Sequence, residues 1–239
     1  MVTNYISDEY GDLINSNPTI RNLFNTMVED FSFSMHELSH ELGNIVTLIN
    51  SSLQIIESSH PEVKDFKYWN STVEDVKYMI ELLSKLSSFN NGSKLNPELT
   101  DISQMLNNII SSFITNSNYS HINFISNIAT DIPLMNADPV KLKQVFINII
   151  KNACEAGSRT ITIQLYQDET NILVNIIDNG CGLSPEQVKQ IFKPMVSFKD
   201  GGTGLGLPIC ERIVLAHRGH ISCNSEKNSG TSFTITLPT

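Results

Sequence analysis

Residues 202–207 read Gly202-Thr203-Gly204-Leu205-Gly206-Leu207, and they lead directly into a helical pattern that starts near Pro208. Backbone amides in a glycine-rich turn at a helix N-terminus form a natural cradle for phosphate. A Walker loop would end in Gly-Lys-Ser/Thr, whereas Leu207 follows the last glycine here. A dinucleotide-binding fold would place its loop after the first strand, and this loop lies only about 30 residues before the C-terminus. The loop therefore predicts a phosphate site of a different kind.

A second motif, Asp178-Asn179-Gly180-Cys181-Gly182, follows an apolar strand pattern at 172–177. A carboxylate at the end of a buried strand can accept a hydrogen bond from an exocyclic amine such as that of adenine. The glycines, Gly180 and Gly182, allow the backbone to turn closely beside a base. Taken alone, the motif fits an ordinary Asp-Asn-Gly turn better.

A third motif, Asn148-Ile149-Ile150-Lys151-Asn152-Ala153, lies inside a helical pattern that begins near Asp138-Pro139. Asn148 and Asn152 are four residues apart and so share one helix face. Paired carboxamides offer oxygen ligands to a hard cation such as Mg²⁺, and phosphates complete its coordination. Two solvated asparagines on a surface helix explain the same spacing equally well.

The pattern from Leu95 onward mixes helices with strands. Helical patterns cover 101–114, 138–156 and 207–217, and strand patterns cover 122–128, 160–166, 171–177, 220–225 and 231–237. Helices grouped with antiparallel strands predict an α+β sandwich rather than a doubly wound sheet.

Two helical patterns precede this region, at 28–56 and 66–83. Their apolar residues alternate in steps of three and four, with Ser52 as the one gap: Val28, Phe31, Met35, Leu38, Leu42, Ile45, Ile49 and Ile56, then Phe66, Trp69, Val73, Val76, Ile80 and Leu83. The break Ser58-Ser59-His60-Pro61 places Pro61 at the start of the second helix. One hairpin has too little core, so two copies are expected to form a dimeric four-helix bundle. The domain boundary is placed after Asn90-Asn91-Gly92.

Composition narrows the functional class. A net charge of −9 and a pI near 5.1 over 239 residues argue against a protein that binds nucleic acid through broad electrostatics. The four cysteines form no CxxC pair, nothing resembles a signal peptide, and no apolar run reaches the roughly 18 residues of a membrane helix. We therefore expect a cytoplasmic protein with no membrane segment in this chain.

The three motifs, in this order and spacing, resemble the ATP-binding domain of sensor histidine kinases. The resemblance covers residues 95–239 and extends to Phe192-Lys193-Pro194 and to Gly230-Thr231-Ser232-Phe233. It implies the histidine kinase/gyrase/chaperone-type ATPase fold, with ATP and Mg²⁺ as cofactors. By this likeness Asn152 ligates Mg²⁺ with Asn148 nearby, and Asp178 binds the adenine amine with help from Thr231. Residues 193–201 form an ATP lid in which Lys193 and Lys199 offer charge to phosphates. The nucleotide also meets Gly180, Gly182, Gly202, Thr203, Gly204, Leu205 and Gly206.

The first helical pattern contains Met35-His36-Glu37-Leu38-Ser39-His40-Glu41-Leu42-Gly43-Asn44, which resembles the phosphoacceptor box of the same family. At about 100° per residue, His40 points away from the apolar seam and into solvent. In this likeness His40 attacks the γ-phosphoryl group, Glu41 takes the ring proton, and Asn44 orients water for dephosphorylating the partner. His36 and His40 also spell the HExxH zinc-peptidase signature, but a thin hairpin offers little substrate cleft.

These expectations define a homodimeric sensor histidine kinase core. Residues 1–27 form an N-terminal segment or signalling helix, 28–92 the dimerisation and phosphotransfer domain, and 95–239 the catalytic ATP-binding domain. The phosphoryl group on His40 would pass to an aspartate of a response regulator receiver domain. Three rivals remain in view: a scaffold with a decayed kinase fold, a gyrase-like or chaperone-like ATPase, and an anti-sigma-factor serine kinase.

Overall fold

The structure is a computed structural model that describes residues 17–199 and 201–239. Within the first helix, the side chains at positions 21, 24, 25, 28–33 and 36 lie outside the described part. The chain divides between Asn91 and Gly92 into two compact units, and each is considered by itself.

The first unit is a helical hairpin. Helix α1 spans Pro18–Ser59, a 3₁₀ turn spans Pro61–Asp65, and helix α2 spans Trp69–Asn90. Helix α1 begins well before residue 28 because Asn17 caps it: its side chain accepts from the amides of Thr19 and Ile20. The prediction that Pro61 opens the second helix is wrong. Pro61 opens the 3₁₀ turn instead, since a proline fits the first position of either kind of turn.

The two faces of α1 differ in burial. Val46 and Ser39 are buried, and Asn50 and Leu53 are half-buried, along the line that packs against α2. The predicted seam is not covered within the hairpin: Leu38, Leu42, Ile45, Ile49 and Ile56 are each 41–54% exposed. The hairpin therefore packs through a face of mixed polar and apolar residues and leaves an apolar stripe exposed to solvent in the single chain.

The second unit, Gly92–Thr239, is built on a five-stranded sheet. Strand β1 (Glu98–Thr100) and β3 (Met135–Ala137) form a separate small ladder. The main sheet contains β2 (Asn123–Ile128), β4 (Thr160–Gln167), β5 (Asn171–Asp178), β6 (His220–Glu226) and β7 (Gly230–Pro238), in the order β2-β4-β5-β7-β6. All of its pairings are antiparallel except β2 with β4, which is parallel. The small ladder was not predicted, because its three-residue strands carry almost no periodicity. The parallel pairing of β2 with β4 was not predicted either.

Helices complete the sandwich. They are α3 (Ile102–Ile114), α4 (Pro139–Glu155), the single turn α5 (Pro185–Val188) and α6 (Gly206–Ala216). The core between sheet and helices is fully buried at Phe146, Ile149 and Ile150 of α4 and at alternating positions of β4 and β5. The α+β sandwich predicted from the sequence is confirmed.

Helix α4 is held at its N-terminus by Asp138. The carboxylate of Asp138 accepts from the amides of Lys141, at 3.0 Å, and Asn96, at 2.8 Å. The Asp138 amide donates to Nε2 of His217, and Nδ1 of the same ring lies 2.8 Å from the carbonyl of Ile213. Both bonds are satisfied when the proton sits on Nδ1. The buried His217 thus ties the end of α6 to the start of α4.

Cys154 and Cys210 are buried in the core of the second unit. Burial raises the pKa of the Cys154 thiol to about 11 and that of Cys210 to about 12, so both behave as core residues.

Among the described residues, none of the helices has the length and apolarity needed to span a bilayer.

We predict that Asp138→Ala destabilises the second unit by about 1–3 kcal/mol at neutral pH, because two amides lose their acceptor. Burial alone would raise the pKa of Asp138, but the amides of Asn96 and Lys141 outweigh it and hold the pKa below the usual range. This stability is therefore present above the unfolded pKa of about 3.9 and is lost as the pH falls through the lower, folded value. Urea unfolding of the full chain at neutral and acid pH measures it.

The matched control is Asp131→Ala, an exposed aspartate in the loop before β3. An equal loss of stability in both variants would contradict the capping role of Asp138.

Candidate nucleotide-binding site

The carboxyl group of Asp178 stands at the end of β5 and is only 6% exposed. Its Oδ1 accepts from the amide of Gly180 at 2.7 Å and from the hydroxyl of Ser158 at 3.1 Å. Burial raises the pKa of the Asp178 carboxyl, while these donors and the backbone amide of Thr231 counteract the rise. A buried carboxyl fixed in this way is a directed acceptor for a ligand amine.

The glycines of the second motif serve the protein's own packing. A Cβ placed on Gly182, whose φ is +62°, would lie 2.0 Å from the carbonyl oxygen of Glu226. A Cβ on Gly180 would lie 2.7 Å from the carbonyl oxygen of Ala156. The two glycines therefore allow the turn after Asp178 to press against the end of α4 and the β6–β7 turn.

Thr231 supports Asp178 through its backbone. The two residues are partners in the β5–β7 register, and the amide of Thr231 is one of the donors to the carboxyl. The Thr231 side chain instead pairs with the hydroxyl of Ser225 at 2.9 Å. Ser225 also accepts from the amide of Leu183, so it fastens the loop that follows the second motif.

The first and third motifs meet where α4 passes the start of α6. The side-chain Cγ of Asn148 is 4.0 Å from the position of a Cβ on Gly206, and its carboxamide hydrogen-bonds the buried Cys210 thiol. Leu205 is 1% exposed, so its side chain belongs to the core and only its backbone is left for a ligand. The prediction that Leu205 contacts the nucleotide therefore concerns its backbone amide.

Gly204 sets the path of the third motif. Its φ is +65°, and a Cβ there would lie 2.6 Å from the backbone of Met195 and Val196. The carbonyl of Gly204 accepts from the amide of Met195 at 3.0 Å. The glycine loop and the preceding segment, residues 193–199 and 201, are thus packed backbone to backbone. Lys193 in this segment is exposed, as are Gly202 and the side chain of Lys199 to a lesser degree.

The oxygens of Asn152 accept hydrogen bonds from a positively charged side chain. The ammonium of Lys199 lies 3.1 Å from Oδ1 of Asn152, 3.3 Å from its carbonyl oxygen, and 3.0 Å from a carboxylate oxygen of Glu155. The oxygens at this end of α4 therefore form a site that suits a positive charge. Thr203 lies half-buried between this segment and α6.

The phosphoacceptor candidate lies on α1 in the other unit. His40 is exposed, as the sequence predicted, and Glu41 and Asn44 are exposed beside it. The carboxamide of Asn44 is 3.3 Å from Nδ1 of the His40 ring. If the amide oxygen faces Nδ1, the ring proton sits there and Nε2 presents a lone pair; with the amide nitrogen facing Nδ1, the proton sits on Nε2. The side chain of His36 lies outside the described part.

Sequence reasoning missed Ser158 and Ser225, which hold Asp178 and its loop. No signal marked them, because a serine after the end of a helix and a serine in an edge strand are both ordinary. It also gave no role to Glu155, whose carboxylate lies 3.0 Å from the Lys199 ammonium.

We predict that Gly182→Ala destabilises the second unit more than Gly157→Ala, by about 1–3 kcal/mol. Gly157 also has a positive φ, +74°, but nothing lies within 4 Å of a Cβ there. Both variants carry the cost of a left-handed alanine, so their difference isolates the collision with Glu226. Thermal unfolding of the two full-length variants measures it. Equal melting temperatures would contradict the tight packing of this turn.

Comparison with known proteins agrees with this geometry. Residues 137–239 match the family described as histidine kinase-, DNA gyrase B- and HSP90-like ATPase. Sporulation kinase C of Bacillus subtilis (strain 168) is 34% identical over 84% of this chain and 47% of that protein. The chain thus spans about half the length of that relative.

Solved structures give the same answer. The structure of full-length ShkA in complex with AMPPNP shares the fold with a TM-score of 0.75 at 20% identity, over 86% of this chain and 45% of that one. The nucleotide-free catalytic domain of the histidine kinase ThkA matches with a TM-score of 0.55 at 27% identity, over 60% of this chain and 96% of that one. Residues 137–239 are thus an ATP-binding domain of this type, and the chain is similar to sensor histidine kinases over most of its length.

Proposed function

We propose that this chain uses Mg-ATP to phosphorylate its own His40 and passes the phosphoryl group to an aspartate of a response regulator receiver domain. The observation that carries the proposal is the pair of preformed binding groups in the second unit, one at the end of β5 and one at the end of α4. Asp178 is a buried, oriented acceptor, and Asn152 with Glu155 is an oxygen cluster that already binds an ammonium.

Asp178 would select adenine. The exocyclic amine of adenine is a donor that a carboxylate accepts, and a base with a carbonyl at that position would meet a like-signed partner. Because Ser158 and Gly180 fix the carboxyl from the protein side, little rotational freedom is lost when a base binds. Gly180 and Gly182 keep the turn thin enough for close packing.

Asn152 would ligate Mg²⁺, with Asn148 one turn earlier on the same helix. The fit rests on the Lys199 ammonium, which shows that Oδ1 of Asn152 and the carboxylate of Glu155 accept a positive charge. When bound, Mg²⁺ supplies charge neutralisation for the phosphates. Lys193 and Lys199, together with the amides of Gly202, Thr203, Gly204, Leu205 and Gly206, would hold the phosphate chain.

His40 would be the nucleophile. Its exposure on α1 allows an approaching phosphoryl group to reach Nε2, and the contact with Asn44 restrains the ring. A bond forms between Nε2 and the γ-phosphorus while the bond to the bridging oxygen breaks, and ADP leaves with the electron pair. The ring proton on Nδ1 passes to Glu41, which follows His40 on the same helix.

Two further activities complete the proposal. The apolar stripe on α1 would be buried against a second copy, which gives the homodimeric four-helix bundle. Asn44 would orient a water molecule for hydrolysis of the phosphoryl-aspartate on the regulator, which makes the protein both a kinase and a phosphatase. Zinc-peptidase chemistry at HExxH has less support, because a thin helical hairpin offers little substrate cleft.

We predict that the wild-type chain becomes labelled by Mg-ATP carrying ³²P on the γ-phosphate, with an acid-labile bond. His40→Gln removes the nucleophile and Asn152→Ala removes the metal ligand, so both are expected to reduce the label to background. His36→Gln is the matched control on the same helix and should keep it. Autoradiography after neutral and acid treatment measures all four proteins.

Label that survives His40→Gln, or that resists acid, would contradict the assignment of the acceptor. ATP binding without any label would favour a scaffold or a phosphatase-only protein.

A further inference from the structure

Lys199 links the segment at 193–199 to α4 through one side chain. Its ammonium contacts two oxygens of Asn152 and one of Glu155, all within 3.3 Å. The rest of the segment is tied by a few backbone bonds, from Met195 to Gly204 and from Gly202 to Lys199. The hydrogen bonds of the Lys199 side chain therefore attach the end of this segment to helix α4.

Glu155 supplies the charge in this contact. The side chains of Glu155 and Lys199 are 42% and 40% exposed, and the carboxylate lies 3.0 Å from the ammonium. Lys151, one turn earlier on α4, reaches the other carboxylate oxygen only at 3.8 Å. Asn152 is neutral, and the Asp178 carboxyl attracts the Lys199 ammonium without forming an ion pair with it, so Glu155 is the charged group in direct contact with the ammonium.

The position of the ammonium has a chemical consequence. Oδ1 of Asn152 is the oxygen proposed above as the Mg²⁺ ligand, and it already accepts from the Lys199 ammonium at 3.1 Å. Mg²⁺ binds its ligands at about 2.1 Å, so a metal ion on the second lone pair of this oxygen would lie close to the ammonium, and the two positive charges would repel each other. The two cations therefore compete at this site.

We propose that Glu155 is a positioning residue that seats the Lys199 ammonium on Asn152, so that the protein's own cation occupies the metal position until Mg²⁺ displaces it. This inference rests on the proposed function. Displacement frees Lys199, and with it the tip of the segment, at the moment when metal and phosphates arrive. Glu155 thereby couples metal binding to release of the segment.

The first test needs no nucleotide. Hydrogen–deuterium exchange of peptides covering residues 193–205 is compared in wild type, Glu155→Gln and Lys199→Met, all in the full chain without ATP. Exchange is expected to quicken about two- to fivefold in both variants, as befits a partly exposed ion pair. The matched control is Lys151→Gln, which removes a charge beside Glu155 without touching Lys199 and should leave exchange unchanged.

Two exchange results would overturn the proposal. One is unchanged exchange of residues 193–205 in Glu155→Gln. The other is equally faster exchange in Lys151→Gln, which would mean that only the general charge of α4 matters.

The second test measures the competition, with ADP as the probe. The Mg²⁺ concentration that gives half-maximal ADP binding is measured in wild type, in each single variant and in the double variant. Lys199→Met should lower it about two- to fivefold while Glu155 is intact. Combined with Glu155→Gln, the same change should no longer lower it, because the ammonium is then not held on Asn152 and Lys199→Met only removes a phosphate contact.

Equal effects of Lys199→Met with and without Glu155 would overturn the positioning role. The proposed function fails separately, and visibly, if wild type binds no ADP at any Mg²⁺ concentration, since the exchange measurement does not depend on nucleotide.

Discussion

The hydrogen bonding of Asp178 is the constraint on which the rest of the second unit depends. A carboxyl group that is 6% exposed needs donors, and it takes them from three directions: the turn after β5, the segment after α4, and strand β7. Ser158 also bonds the carbonyl of Ala153 at 2.7 Å, so the same hydroxyl contacts both the end of α4 and the carboxyl. The candidate adenine acceptor and helix α4, which carries the proposed Mg²⁺ ligands, are thereby fixed relative to each other.

Most of the secondary structure could be predicted from the sequence, because the strands have one buried and one more exposed face and the helices are long. Strand β5 alternates buried and half-buried residues over its whole length, and β4 does so over its first six residues, which is the period that marks a strand. The sequence could not predict which strands pair: β2 joins β4 in parallel, and nothing in 123–128 marks that direction. The start of α1 was also placed too late, since the capping role of Asn17 is visible only once the chain before the apolar pattern is seen to be helical.

The candidate site was predicted by residue type but not by contact. Asp178, Asn148 and Asn152 occupy the expected faces, whereas the interactions that position them come from residues of common type. Ser158, Ser225 and Glu155 could not be singled out, because their partners lie 20 or more residues away in sequence: Ser158 with Asp178, Ser225 with Leu183, and Glu155 with Lys199. Side-chain partners at that separation depend on the folded backbone, which periodicity does not describe.

We propose that Asp178 recognises the adenine of a bound ATP, and competitive binding of ATP and GTP measures this recognition. The adenine amine would donate to the carboxylate, while the carbonyl at the same place in guanine would face an acceptor. We expect wild type to prefer ATP over GTP by roughly 100-fold or more, and Asp178→Asn to lose most of this preference. Equal binding of the two nucleotides by wild type, or an unchanged preference in Asp178→Asn, would contradict it.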